Sequence, residues 1–153
     1  MYRYACSILG DQEAAGDVVQ ECLAKIWKKR SILSSIQNHE AWTMRIVRNQ
    51  CLDWVKFNRF DMLEPKHEKA DANASADGLL LTNERTQWME AILEKMPDKH
   101  REVFHLREVE ELSYREISEV LSISMEDVKV CIYRARNHIQ SHLIKLDEYG
   151  IAN

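Results

Sequence analysis

Apolar side chains recur along this chain at spacings of three and four, the period of a helix that buries one face. Tyr2 to Leu9 reads as the tail of one such helix. A second is expected from Asp11, with Ala14, Val18, Cys22 or Leu23, and Ile26 or Trp27 returning to one side. Asp11 is placed to cap it, and Glu13 and Asp17 suit the positive end of its dipole. A third is expected from Asn38 or His39, with Trp42, Ile46, Asn49 or Gln50, Leu52, Asp53 and Val55 turned inward. The rest of its surface carries Arg45, Arg48, Lys56 and Arg59. From Asp61 the pattern lapses into small and polar residues, as in Glu64-Pro-Lys-His-Glu-Lys-Ala-Asp-Ala-Asn-Ala-Ser-Ala-Asp77, which reads as a flexible linker. Periodicity resumes with Leu81, Trp88, Ile92 and Met96 in a helix expected over Leu79 to Met96. Pro97-Asp98 breaks the chain and restarts it, and Lys99 to Arg107 follows with Val103, Phe104 and Leu106.

The most specific pattern lies beyond. Ser113 is followed by Glu116, and Ser124 by Asp127, so two helix starts stand eleven residues apart. The first is a capping box, in which the serine oxygen accepts an N–H of the first turn and the acid reaches back. The second has the shorter arm of aspartate. A short helix, the turn Ser122-Ile-Ser124 and a second helix outline a helix-turn-helix, a unit that lays its second helix in the major groove of DNA. In that second helix Val128, Ile132, Ala135, Ile139, Leu143 and Leu146 form one inward stripe. Lys129, Val130, Tyr133, Arg134 and Arg136 fall outside it.

Composition agrees with an all-α fold: 45% of residues are apolar, and the 153 residues include only 4 Gly and 2 Pro. The expected organisation is two small helical domains, residues 1–60 and 79–153, joined by a linker over 61–78. Net charge is −4, yet the basic residues are segregated. Lys129, Arg134, Arg136 and Lys145 stand without an acid among them, and Arg45, Arg48, Lys56 and Arg59 with only Asp53. Separate basic faces are what contact with nucleic acid requires. Cys6, Cys22, Cys51 and Cys131 form no CxxC pair and read as reduced thiols of a cytoplasmic protein. His138 and His142 have metal-ligand spacing but no third ligand, so no metal is expected. No apolar run is long enough to span a membrane, and no signal peptide is visible. No nucleophile–base pair or phosphate loop is visible either, so neither an enzyme nor a cofactor is expected.

Taken in order, several stretches resemble the bacterial extracytoplasmic-function (ECF) sigma factors of the sigma-70 superfamily. In the first half these are Leu9 to Glu21, Trp27, and Ala41-Trp42-Thr-Met-Arg45-Ile-Val-Arg48-Asn49-Gln-Cys-Leu-Asp53. In the second they are Met96 to Phe104, Leu112-Ser-Tyr-Arg-Glu-Ile117, and Val128-Lys129 through Arg134-Ala-Arg136. The resemblance implies a protein that binds RNA polymerase core and directs it to promoters. It puts Asp17, Gln20 and Glu21 on the face that meets the β′ clamp helices, with the β subunit as a further contact. It puts Arg45, Arg48, Asn49 and Lys56, with the loop Ser34 to Asn38, beside the opened promoter strand, where a flipped base is captured. Trp42 stands near, with a core role as the alternative, and Asp53 is expected to pair with a nearby arginine. Lys129, Val130, Tyr133 and Arg134 would face the minus-thirty-five element. Arg136 would hold a phosphate or form a salt bridge within its domain. An anti-sigma factor is a further candidate partner.

The sequence departs from the family pattern in three places. Met1 begins inside the expected first helix, as if that helix were truncated. Val130 and Cys131 stand where a small polar residue and an arginine are usual. Glu126 and Asp127 bring acid to the start of the recognition helix, where they favour weaker binding of that promoter element. Two alternatives stay open. One is a helix-turn-helix regulator of another kind. The other is a helical interaction protein that no longer binds DNA. A closed arrangement of the two domains, if adopted, would hide both DNA faces.

Overall fold

Gly10 ends the first helix by taking a left-handed conformation (φ 67°), its N–H returning to the Cys6 carbonyl at 2.9 Å. The computed structural model describes residues 1–61, 89 and 91–148. Helix α1 (Tyr2–Leu9) is followed by α2 (Gln12–Lys28), a 3-10 helix (Arg30–Ser35) and α3 (His39–Asp61). The second half has a short helical stretch at 91–94, then α4 (Asp98–Glu108), α5 (Tyr114–Leu121) and α6 (Met125–Glu148). The expected linker beyond residue 61 and most of the helix expected over Leu79 to Met96, with Trp88, lie outside the described residues.

The helix starts follow the sequence closely. Asp11 accepts the N–H groups of Glu13 and Ala14 at 2.9 and 3.0 Å and so caps α2. The capping box of α5 is complete: Glu116 N–H donates to Ser113 Oγ at 3.3 Å, and Ser113 N–H to the Glu116 carboxylate at 2.6 Å. At α6 the aspartate departs from the box. Asp127 N–H reaches Ser124 Oγ at 3.0 Å, but the Asp127 carboxylate accepts the Ser124 hydroxyl rather than a backbone N–H. Between α5 and α6, Ser122 turns the chain with φ 55°, and Ser118 ties the turn by donating to the Ile123 carbonyl at 2.6 Å. These contacts fix the helix-turn-helix.

The core follows the expected stripes in α2 and α6 but not in α3. In α2 the structure selects Cys22 over Leu23 as the buried residue, and Ile26 is half-buried where Trp27 is exposed. In α6 Val128, Ile132, Ala135 and Ile139 are buried, whereas Leu143 is 46% exposed, beyond the reach of that core. In α3 the buried positions are Ala41, Met44, Val47 and Cys51, one step round from the expected set, while Trp42, Ile46, Leu52 and Val55 are half-buried. Small and slender side chains lie at the centre because α3 is packed on both sides, against α1 and α2 and against α5. Bulky residues take the flanks.

One apolar core runs through both halves. Tyr4, Val18 and Val47 of the first half share it with Val103, Leu106, Leu112, Ile117 and Val128 of the second. The second half adds a satellite cluster of Ile92, Met96, Ala135 and Ile139. Helix α1 lies against α4, and α3 lies against α5, so the two halves expected as domains are packed together.

Candidate nucleic-acid interface

The basic residues expected on α3 divide between two environments. Asn49 and Lys56 are exposed, the latter 4.0 Å from Asp53. Asp53 therefore faces solvent beside a lysine, not an arginine, because its position points away from the packed side of α3. Asn38, Arg45 and Arg48 instead meet the second half. Arg48 forks onto Glu102 of α4, with Nε to Oε1 at 2.8 Å and Nη2 to Oε2 at 3.3 Å. Burial alone would lower the pKa of this guanidinium; the Glu102 carboxylate outweighs it and the net shift is upward. Tyr4 donates its hydroxyl to the same carboxylate at 2.8 Å, and burial, reinforced by Glu102, pushes that phenol well above its usual range. Arg45 donates to the Glu119 carbonyl.

Asn38 has two duties. Its carbonyl oxygen caps α3 by accepting Ala41 N–H at 3.0 Å, and its amide donates to Glu116 at 3.1 Å. The caps of α3 and α5 are thus bonded to each other. Hydrogen bonds from Ser113, with Asn38 adding to them, hold the Glu116 carboxyl below its ordinary range. Beside this junction lies a cleft of about 590 Å³, lined by Trp42, Arg45 and Asn38 on one side and Arg115, Glu116 and Glu119 on the other. Trp42 is half-buried on its wall and not in the core. The segment expected as a loop before α3 is shorter than the sequence suggests, because Ser34 and Ser35 complete the 3-10 helix and Ser35 Oγ donates to the Ile32 carbonyl at 2.7 Å.

On α6 the outward residues behave differently. Lys129, Val130, Tyr133 and Arg134 are all exposed, Tyr133 to 67%. Packing of the halves leaves this face open, and on α3 it engages Asn38, Arg45 and Arg48 while Asn49 and Lys56 face solvent. Arg136 is held within the second half by Glu108, 2.7 Å from Nη2. Cys131 is only 4% exposed and turned to the core, so its side chain does not lie on the outward face. Burial raises its pKa, and burial pushes Cys51 up to about 12, which leaves both as unreactive thiols. Asp127 is engaged by its own cap and by Lys99 at 4.0 Å, which leaves Glu126 as the acid at the helix start with no partner among the described residues.

On α2, Asp17, Gln20 and Glu21 are exposed together. Glu21 is steadied from α3, where Gln50 Nε2 donates to it at 2.6 Å, and Lys25 donates to the same amide. The structure adds two residues that periodicity left ambiguous. Leu23 and Trp27 are 52% and 68% exposed beside Gln20, and Arg30 lies 4.8 Å over the Trp27 ring. Had the apolar stripe been narrowed to Cys22 and Ile26 alone, both would have stood out. The His138 and His142 rings lie tilted by 41° with centroids 4.4 Å apart, and no metal-holding cluster occurs among the described residues. No described helix is long and apolar enough to cross a membrane.

Comparison with known proteins now decides between the readings. Residues 1–60 match the family model of sigma-70 region 2, and residues 86–139 match that of sigma-70 region 4. The chain belongs to the sigma-70 family. Its relatives place it in the ECF group. It is 28% identical over 152 residues to RNA polymerase sigma factor SigZ of Bacillus subtilis (strain 168), spanning 96% of this chain and 85% of that one. It is 25% identical over 154 residues to the ECF sigma factor SigW of the same organism, spanning 94% and 82%. Among solved structures, the fold is similar to the sigma factor RpoE in complex with the anti-sigma factor NepR from Bartonella quintana, with a TM-score of 0.71 at 23% identity over 93% of this chain and 88% of that one. It is also similar to CnrH in complex with the cytosolic domain of CnrY, with a TM-score of 0.63 at 23% identity over 94% and 80%. A sigma factor has both regions, whereas a helix-turn-helix regulator of another kind would lack the first. The region 2 match therefore sets that alternative aside.

Proposed function

We propose that this ECF sigma factor divides its work among three surfaces. The α2 face of Asp17, Gln20 and Glu21, extended by Leu23 and Trp27, docks on the β′ clamp helices of RNA polymerase core. A carboxylate cluster beside an exposed indole suits a basic protein surface with apolar stems. The α3 face of Asn38, Arg45, Arg48, Asn49 and Lys56 handles the opened promoter strand, with the cleft beside Trp42 offering an aromatic wall and an amide to an unstacked base. The α6 face of Lys129, Val130, Tyr133 and Arg134 reads the minus-thirty-five element. Arg136 supports that helix from within through Glu108.

The observation that carries this reading is the occurrence of both sigma-70 regions in order in one chain, with the α2 and α6 faces exposed. The protein supplies docking and readout, and the chemistry of RNA synthesis belongs to the polymerase. It works in the cytoplasm with that enzyme. One solved neighbour is a complex with an anti-sigma factor, NepR, and another is a complex with the cytosolic domain of CnrY; an anti-sigma partner is proposed for this chain as well.

Co-elution with bacterial RNA polymerase core on a sizing column tests the docking. The wild-type chain is expected to travel with the core, and a chain carrying Asp17→Lys and Glu21→Lys is expected to travel alone. Equal retention of both would remove the α2 face from the interface.

A further inference from the structure

Helix α6 turns by about 100° per residue, so Glu126, Val130, Tyr133 and Asn137 return to one strip opposite the buried stripe of Val128, Ile132, Ala135 and Ile139. All four residues of the strip are exposed. In the first two turns, the part of a recognition helix that reaches base edges, the strip holds Glu126 and Val130. Neither side chain donates a hydrogen bond: an ionised carboxylate only accepts, and valine does neither. Val130 is 44% exposed although it is branched and apolar. The donors stand at the margins, Lys129 on one side of the strip and Arg134 on the other. Arg134 lies on the side of α4, where its charge, after burial and ahead of Lys99, lowers the pKa of His100. Cations at both margins of an acidic and apolar centre suit the two phosphate walls of a major groove with its base edges between them.

The centre of that strip has the wrong chemistry for guanine. Guanine turns two acceptors, O6 and N7, to the major groove and is read by a donor such as arginine or lysine. Cytosine turns its N4 amino group there, and thymine its C5 methyl. A carboxylate accepts from the amino group and is repelled by O6 and N7. Valine offers apolar surface, which only the methyl can use. We propose that Val130 and Glu126 make α6 a reader of pyrimidine edges, Val130 packing on a thymine methyl and Glu126 accepting from a cytosine amino group. Guanine facing either residue is disfavoured. Lys129 and Arg134 hold the phosphates on the two sides and set how tightly any duplex is bound, while Val130 and Glu126 set which duplex is chosen. The inference rests on the assignment of α6 to the minus-thirty-five element.

The test uses polymerase holoenzyme assembled with the full chain. Duplexes are selected from a library with a randomised block, and the selection is repeated with Val130→Ser and with Glu126→Gln. Both side chains are exposed, and circular dichroism establishes that each variant remains helical. Positions at which a variant selects differently from the wild type are those that the residue reads. Thymine is expected at the positions that depend on Val130, and cytosine at those that depend on Glu126. The selected duplex is then remade with deoxyuridine in place of the Val130-dependent thymidine, which removes the methyl and nothing else. Wild-type affinity, read by fluorescence anisotropy, is expected to fall about fourfold, the worth of one buried methyl-sized group. Val130→Ser is expected not to distinguish the two duplexes. The inference is overturned if guanine is selected at either set of positions, if the three selections agree, or if deoxyuridine leaves wild-type affinity unchanged. Lys129→Ala separates that failure from a failure of the assignment beneath it. If it weakens binding while deoxyuridine has no effect, α6 holds DNA without reading methyls, and only the pyrimidine readout falls. If it leaves binding unchanged as well, the assignment of α6 falls with it.

Discussion

Arg48 and Glu102 stand 54 positions apart in sequence and form a forked ion pair that crosses from one half of the molecule to the other. Their side chains keep 24% and 19% of their exposure, so the pair is neither a surface bridge nor a sealed one. Breaking a fully buried pair by removing one partner costs about 3–5 kcal/mol, and an exposed pair about 0–1 kcal/mol. Arg48→Met keeps the stem and strands the Glu102 carboxylate, and a loss of about 2–3 kcal/mol is expected between those limits. Urea denaturation at neutral pH measures it. A loss no larger than that of Lys56→Met, whose partner Asp53 is 71% exposed, would show that the crossing pair does not bind the halves.

The shared core makes a second prediction. Leu106 on α4 is fully buried in a cluster that includes Tyr4 and Val47 of the first half. Leu106→Ala leaves a cavity in that shared cluster, at a cost of about 2–5 kcal/mol. If the halves unfold as one unit, every probe shifts together, and calorimetry records one transition at a lower temperature. If Trp54 fluorescence on α3 keeps its midpoint while the helical signal shifts, the halves are thermodynamically separate.

Much of this arrangement is legible before folding, because it is written in short-range chemistry. Asp11, Ser113 with Glu116, and Ser124 act on N–H groups two or three residues away, and the caps stand where the sequence places them. The α6 stripe is legible for a related reason, since Val128 to Ile139 obeys the helical period against one set of neighbours. The α3 stripe is not. A helix packed on two sides has no single wet face, and the period then fails to separate Ala41 from Trp42 or Val47 from Ile46. The site splits along the same line. Lys129 and Tyr133 lie where the pattern puts them because none of the described residues covers that face of α6. The engagement of Asn38, Arg45 and Arg48 was not legible, because each partner lies far away in sequence and no spacing rule reaches that far. Glu108 as the holder of Arg136 was missed for the same cause.

That difference between Arg136 and its neighbours predicts unlike behaviour on DNA. Lys129 and Arg134 have no acidic partner among the described residues, whereas Arg136 is held by Glu108. A side chain that contacts a phosphate releases counterions, and its loss lowers the dependence of log affinity on log salt by about one. Lys129→Ala and Arg134→Ala are expected to show that drop in holoenzyme binding to a promoter duplex. Arg136→Ala is expected to leave the salt slope in place. A lowered slope in Arg136→Ala would return that residue to the DNA face.

The half-buried His105 supplies a pH dependence whose sign is fixed by its surroundings. His105 stacks under Tyr4 with centroids 5.8 Å apart, and its Nε2 lies 3.6 Å from Glu110, without a hydrogen bond between them. Burial is the largest influence and lowers its pKa; the Glu110 charge opposes this, and nearby Arg3 adds to the lowering. In the folded protein the ring therefore takes its proton at a lower pH than in the unfolded chain, where the ordinary value is about 6.5. Above that value both forms are neutral, and the full stability is present. As pH falls below it the unfolded chain binds a proton that the folded one refuses, and stability declines until the folded pKa is passed. The denaturation midpoint should thus fall as pH is lowered from neutral, and His105→Asn should show a shallower fall over the same window. A midpoint that rises on acidification in the wild type, and not in His105→Asn, would mean that Glu110 prevails over burial and that the ring is charged in the fold.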